Sequence, residues 1–186
     1  KTAFALQVGH HFATKGKRVG FFSLETDPKS VLGRILTAQS YVPLSAIKHR
    51  KLSSKQVAAL AAASGTLSRV PFDVIDAAGY TPERIRRDTI VRRLDVVIVD
   101  YIQIVRTAHK GYSRENDVAS ISNALANFAR DHKVMVLALA QLTRDQEDQK
   151  SKTVRAPTLA SFRESGSLEQ DADIARERKS QVGSGD

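Results

Sequence analysis

The stretch Asp95-Val-Val-Ile-Val-Asp100 places four consecutive β-branched residues between two aspartates. A continuous apolar run of this length is typical of a strand in a parallel sheet, where helices cover both faces. Two further runs have the same character, Arg18–Leu24 and Lys133–Ala140. The sequence therefore predicts a mostly parallel sheet in which residues 95–100 form a buried strand.

Helical patterns lie between these runs. Asp27-Pro28 joins a good capping residue to a residue favoured at the first helical position, which predicts a helix that runs to about Gln39. A second helix that begins at Thr81 should turn Ile85 and Ile90 toward the core. The remaining predicted elements are helices over Leu52–Leu67 and Ser113–Asp131 and a short strand over Val70–Ile75. Strands that alternate with helices predict an α/β fold class.

Length and composition limit the class of protein. A chain of 186 residues suits one domain with a full core, so residues 1–186 are predicted to form a single domain. The absence of cysteine excludes disulfides, thiolate catalysis and Cys-ligated metal sites. No apolar run approaches the roughly 18 residues of a membrane helix. We expect a soluble, cytoplasmic protein that does not bind membranes.

The charge is strongly basic, with 29 Lys and Arg against 20 Asp and Glu. A net charge of +9 favours an anionic partner such as nucleic acid, although solubility alone is an equal explanation. With no Trp and only 7 Phe and 4 Tyr, a long base-stacking surface is hard to build. Any nucleic-acid binding should therefore depend on phosphate contacts.

Polar residues directly follow the three buried runs: Glu25, Asp100 and Gln141. The carboxyl ends of parallel strands meet at one edge of the sheet, where ligands bind. A carboxylate at that edge suits Mg²⁺, a second could orient and deprotonate a water, and an amide could contact a phosphate oxygen. For each residue alone, a helix or loop cap is the alternative interpretation.

Lys1-Thr2 opens an apolar helical pattern, as the last two residues of the phosphate-binding motif G-x-x-x-x-G-K-[S/T] do. In that motif the lysine reaches the β- and γ-phosphates and the hydroxyl ligates Mg²⁺. The dipeptide alone is a weak signal. It gains weight from the acidic strand end at Asp100.

Five segments in order resemble the C-terminal RecA-like motor domain of the DnaB family of replicative helicases. The resemblance covers essentially the whole chain, and its last segment is the most specific to that family. The segments are Lys1-Thr2, Phe22-Ser23-Leu24-Glu25, Val97-Ile98-Val99-Asp100-Tyr101-Ile102-Gln103, Leu139-Ala140-Gln141-Leu142 and Arg163–Asp173.

The resemblance implies a RecA-like P-loop NTPase core that binds ATP and Mg²⁺. Lys1 and Thr2 match the end of Walker A, which contacts phosphate and the metal. Glu25 matches the acid that activates the attacking water. Asp100 matches the Walker B residue beside the metal, and Gln141 matches the γ-phosphate sensor.

The resemblance also assigns residues to partners. Arg163, Glu164 and Gly166 match the segment that touches single-stranded DNA in the central channel of a ring. Arg176 and Arg178 resemble the basic pair that reaches the ATP site of a neighbouring subunit. The family's glycine loop and its N-terminal collar domain, which contacts primase, are not among residues 1–186.

The leading functional prediction is an ATP-dependent DNA helicase motor that works as a homo-oligomeric ring, expected to be a hexamer, with primase and a helicase loader as further partners. Its source would be a bacterial, plasmid or phage replication machinery. Two alternatives stay open at this point. One is another RecA-like ATPase, a recombinase or a clock-type enzyme, and the other is a catalytically silent assembly module.

Overall fold

The computed structural model describes residues 1–107, 113–141, 168 and 171–174. Helices and strands alternate along this part of the chain, which confirms the predicted α/β class. The helices are α1 Thr2–Thr14, α2 Pro28–Ser40, α3 Leu44–Lys48, α4 Ser54–Leu67, α5 Pro82–Arg92 and α6 Arg114–His132. The strands are β1 Val19–Ser23, β2 Phe72–Asp76, β3 Val96–Asp100 and β4 Met135–Ala138, and a 3₁₀ helix covers Ile102–Ile104.

In the described part of the chain the strands form one parallel sheet in the order β2-β1-β3-β4. Ser23, the last residue of β1, lies opposite Asp76 of β2 and Asp100 of β3. The strands therefore end together, and we call this side of the sheet the carboxyl edge. All five residues of β1 and of β3 are buried, as the apolar run at 95–100 predicted.

The core has two halves, one on each face of the sheet. Successive side chains of a strand point to opposite faces, so Phe21 packs with α1 and α2 while Phe22 packs with α5 and α6. Both phenylalanines are fully buried. Each large side chain buried in this way contributes about 1.5–3 kcal/mol to folding. The sheet is thus held rigidly between two helical layers.

Side-chain caps fix where three helices begin. The Asp27 carboxylate accepts a hydrogen bond from the Ser30 N–H at 3.1 Å, so α2 begins where the sequence predicted. Ser53 and Gln56 form a reciprocal capping box at the start of α4. Ser113 caps α6 by accepting from the Asn116 N–H at 3.3 Å. Each such cap contributes about 1 kcal/mol.

Two details of the predicted packing were wrong. Ile90 is 46% exposed, whereas Thr89 is buried and its hydroxyl donates to the Ile85 carbonyl at 2.7 Å. Thr89 follows the buried Ile85 by four residues, which places the two on one face of α5, whereas Ile90 is turned away from that face. The run 133–140 was expected to be a buried strand, yet β4 is shorter and Met135 is 42% exposed. Within the described residues β4 has a neighbour on one side only, which leaves it less covered.

Helix α3 was not predicted, because five residues are too few to show a periodic pattern. No helix in the described ranges is both long enough and apolar enough to cross a bilayer.

Candidate functional site

The site begins where α1 meets the carboxyl edge. Lys1 is the N-cap of α1, and its ammonium donates to the Ala140 carbonyl, two residues beyond β4, at 2.5 Å. Its side chain makes no capping bond to the helix. The amides of the first turn are therefore available to an anion, which the positive end of the helix dipole also attracts.

Thr2 and Asp100 are joined directly. The Thr2 hydroxyl donates to Asp100 Oδ2 at 2.7 Å across 98 residues of sequence. Asp100 is the last residue of β3 and is only 8% exposed. A buried carboxylate needs hydrogen-bond donors or a cation, and this one lies beside a hydroxyl and near an ammonium. The structure thus brings together Lys1, Thr2 and Asp100 of the predicted site.

Burial lowers the pKa of the Lys1 ammonium below the usual lysine value, and the negative charge of Asp100 opposes part of that shift. Partial removal from water makes the charged form of the side chain more costly. A second anion placed against Lys1 would stabilise that charge. The electrostatics of this corner therefore favour an anionic ligand such as a phosphate.

Glu25 lies on the turn after β1. The buried Ser23 hydroxyl donates to the Thr26 carbonyl at 2.5 Å and closes this turn, and the Leu24 N–H donates to the Asp100 carbonyl at 3.1 Å. Glu25 itself is exposed. Because β1 and β3 are neighbours, the turn holds the Glu25 carboxylate at the same edge as Asp100.

Gln141 follows β4 and is exposed. Its backbone is bonded twice by the side chain of Gln103, in the 3₁₀ helix after β3. Gln103 Nε2 donates to the Gln141 carbonyl at 2.8 Å, and the Gln141 N–H donates to Gln103 Oε1 at 3.1 Å. Sequence reasoning gave Gln103 no role, because a pairing across 38 residues leaves no local pattern. The spacing of polar residues at strand ends did place Glu25, Asp100 and Gln141 at one edge.

The donor set at this corner fits magnesium together with a phosphate ligand. The Thr2 hydroxyl and the Asp100 carboxylate are hard oxygen donors 2.7 Å apart. Within the described ranges no three His, Cys, Asp or Glu side chains gather as a metal cage would require. Mg²⁺ is commonly held by one or two carboxylates plus phosphate oxygens, rather than by a site made only of protein ligands.

The predicted DNA-contacting and subunit-contacting residues fall elsewhere. Arg163, Glu164, Gly166, Arg176 and Arg178 lie outside the described residues, so their assignments remain predictions. Leu168, a described residue of the same segment, packs against the half of the core that contains Phe22 and α6.

A family profile, the DnaB-like helicase C-terminal domain, matches residues 1–177. Among curated proteins, the replicative DNA helicase DnaB of Geobacillus stearothermophilus is 35% identical over 184 residues, which are 94% of this chain and 39% of that protein. The replicative DNA helicase DnaC of Bacillus subtilis is 34% identical over 182 residues, with the same two coverages. The chain thus spans about two fifths of the length of these relatives.

Solved structures give a matching result. One of them, an isolated ATPase domain, superimposes with a TM-score of 0.84 at 34% identity, covering 94% of this chain and 63% of that one. A DnaB-like replicative helicase, described with its interactions with primase, gives 0.83 at 33% identity, covering 92% of this chain and 42% of that one. The four-stranded core and its helices therefore follow the architecture of a known ATPase domain.

Proposed function

Because the chain belongs to the family of DnaB-like helicase C-terminal domains, we propose that it is the ATP-hydrolysing motor of a replicative DNA helicase. The observation that carries this proposal is the 2.7 Å hydrogen bond from the Thr2 hydroxyl to the Asp100 carboxylate. It joins the start of α1 to the end of the central strand β3 at the carboxyl edge. A nucleotide with its metal would be bound at this junction.

In this proposal the triphosphate lies over the first turn of α1. Lys1 exchanges its bond to the Ala140 carbonyl for one to a phosphate oxygen, which compensates for its partial burial. Thr2 and Asp100 hold Mg²⁺ from the protein side. When bound, Mg²⁺ neutralises part of the negative charge that develops on the phosphates.

Glu25 and Gln141 flank the γ-phosphate in the proposed mechanism. Glu25 accepts a proton from the attacking water while the water oxygen bonds to the γ-phosphorus. The bond from that phosphorus to the β,γ-bridging oxygen breaks, which yields ADP and phosphate. Gln141 donates its amide to a γ-phosphate oxygen and so detects whether the phosphate is present. Catalysis of this kind depends mainly on positioning and charge stabilisation.

We extend the proposal to assembly and DNA. Arg176 and Arg178 would complete the ATP site of the next subunit in a hexameric ring. An arginine supplied in this way increases turnover by about 10³–10⁵-fold in related NTPases. Arg163, Glu164 and Gly166 would contact the phosphates of single-stranded DNA. Primase is a proposed partner, since one structural relative is described with it, and a loader is a second.

The decisive experiment compares full-length protein with its Glu25→Gln variant. ATP turnover should fall by about 10²–10⁴-fold, the usual contribution of a positioned base, while nucleotide binding persists. Asp131→Asn, which makes the same carboxylate-to-amide change in the last turn of α6, should keep normal turnover. Equal turnover in wild type and Glu25→Gln would reject the catalytic assignment and favour a silent assembly module.

Strand displacement distinguishes a helicase from a recombinase. The full-length protein should separate a forked duplex in the presence of ATP and Mg²⁺. Strand exchange between homologous DNAs, without displacement on the fork, would instead identify a recombinase.

A further inference from the structure

The side chain of Gln103 bonds both backbone polar groups of Gln141. The two contacts, at 2.8 Å and 3.1 Å, use the amide nitrogen as donor and the amide oxygen as acceptor. A side-chain amide offers the same donor and acceptor as a peptide group. Gln103 therefore occupies the place that a peptide of a neighbouring strand would take in the sheet.

The geometry of the two chain segments explains why a side chain is needed there. The Leu139 N–H donates to the Val99 carbonyl at 2.9 Å, and the Ile102 N–H donates to the Leu139 carbonyl at 2.8 Å. After Asp100 the chain turns into the 3₁₀ helix, so its backbone no longer runs beside the extension of β4. Gln103 adds one more pair of bonds beyond the end of the backbone ladder.

The residue before Gln141 is held from the opposite direction. The Lys1 ammonium donates to the Ala140 carbonyl at 2.5 Å. Residues 140 and 141 are thus fixed by Lys1, at the start of α1, and by Gln103, which follows the Asp100 strand. Because the Gln141 side chain is exposed, its position depends on the backbone that carries it.

We propose that Gln103 is a positioning residue for ATP hydrolysis, which holds the Gln141 backbone so that the Gln141 amide meets the γ-phosphate. This inference rests on the proposed function, in which Gln141 makes that contact. A displacement of about 1 Å in a group that acts on the transition state can cost about 100-fold in rate. Loss of the clamp should therefore lower kcat much more than it changes KM for ATP.

The first test measures ATP turnover in full-length protein carrying Gln103→Leu, Gln141→Ala or both. Gln103→Leu should lower kcat by about 10- to 100-fold with little change in KM. The double variant should be no slower than Gln141→Ala alone, because Gln103 acts through the Gln141 side chain. Two losses that multiply in the double variant would overturn the proposal.

The second test uses Gln103→Glu, which is close in shape to the wild type. Its carboxylate still accepts from the Gln141 N–H but has no hydrogen for the Gln141 carbonyl, whereas the protonated acid restores that donor. The opposing carbonyl raises the pKa of the new acid above the ordinary value of about 4.3. The turnover of this variant relative to wild type should rise as the pH falls from about 8 to about 5.5. A flat or falling ratio would overturn the proposal, and Gln103→Leu supplies the control without a titrating group.

A third measurement does not depend on catalysis. Hydrogen exchange of the Gln141 N–H should accelerate at least about tenfold in Gln103→Leu, because that N–H loses its acceptor. If Gln141→Ala hydrolyses ATP at the wild-type rate, both the proposed role of Gln141 and the positioning role built on it are wrong. If Gln141→Ala is slow while Gln103→Leu matches wild type in exchange and turnover, the positioning role alone is wrong.

Discussion

At the scale of single residues, the Thr2 hydroxyl has two roles in the structure and its proposed function. It supplies a donor to the buried Asp100 carboxylate, and it is the proposed protein hydroxyl on Mg²⁺. Both roles need an oxygen at this position and neither needs the methyl group. Conservative substitutions at this one position can therefore separate them from packing.

Thr2→Val should lower Mg²⁺-dependent ATP turnover of the full-length protein by about 10- to 100-fold, because it removes an oxygen beside the metal site. Thr2→Ser keeps the hydroxyl and should stay close to wild type. Thr14→Val, which removes the hydroxyl that donates to the His11 carbonyl at the other end of α1, should also stay close. Equal turnover in Thr2→Val and Thr2→Ser would contradict the assignment.

The pKa of Lys1 gives a prediction with a definite sign. Burial lowers it and the negative charge of Asp100 partly restores it, so Asp100→Asn should lower it further. Only the neutral amine reacts with an acylating reagent, so the midpoint of the rate–pH curve for the Lys1 ε-amine should move to lower pH in the variant. Peptide mass spectrometry after brief acylation would measure this. A midpoint that stays fixed or rises would mean that Asp100 does not stabilise the ammonium.

At the scale of elements, the position of α1 depends on a glycine. A Cβ on Gly9 would lie 2.6 Å from Ile98 Cδ1 and 2.8 Å from Phe72 Cε2, both too short for contact. Gly9 therefore allows α1 to pack closely on the sheet. Since Lys1 and Thr2 begin this helix, the same contact sets how far they stand from the carboxyl edge.

Gly9→Ala should lower the free energy of unfolding by about 1–3 kcal/mol, the usual cost of an overpacked core. Gly65 of α4 gives the matched control, because a Cβ added there would meet nothing within 4 Å. Gly65→Ala should raise stability by about 0.5–1 kcal/mol, because alanine is the better helix former. Urea unfolding of both variants would measure the difference, and shifts in the same direction would contradict the packing argument.

Local patterns were enough to locate most elements and the carboxyl edge. The Asp27-Pro28 cap and the run at 95–100 each act within a few residues, so they can be read directly from the sequence. Which residue of α5 faces inward was wrong at Ile90, because neighbouring elements decide how far a helix is rotated. The Gln103 clamp was missed for a related reason, since it joins a side chain to a distant backbone.

At the scale of the whole molecule, the family resemblance drawn from the motifs is confirmed by the profile match over residues 1–177. The net charge of +9, which composition alone left between solubility and an anionic partner, now accords with the proposed grip on DNA phosphates. Phosphate-led binding releases counterions, so its affinity depends steeply on salt.

The affinity of the full-length protein for single-stranded DNA should fall linearly on a log–log plot against salt, with a slope of about −0.7 for each phosphate neutralised. Arg163→Ala should make that slope shallower by about one phosphate contact and weaken binding similarly for different base sequences. Fluorescence anisotropy with a labelled oligonucleotide would measure both. An affinity that does not change with salt would contradict phosphate-led binding.

The order of strands in the sheet also has a consequence for synthesis on the ribosome. The central strand β1 is made first, yet Val19 pairs with Phe72 and Val96, which are translated much later. Until then the adjacent Phe21 and Phe22 have no strand to cover them, and an unpaired apolar strand is prone to aggregate. Nascent chains that stop before β3 should therefore need chaperone protection, whereas chains that have passed Asp100 can bury β1 between its two partners.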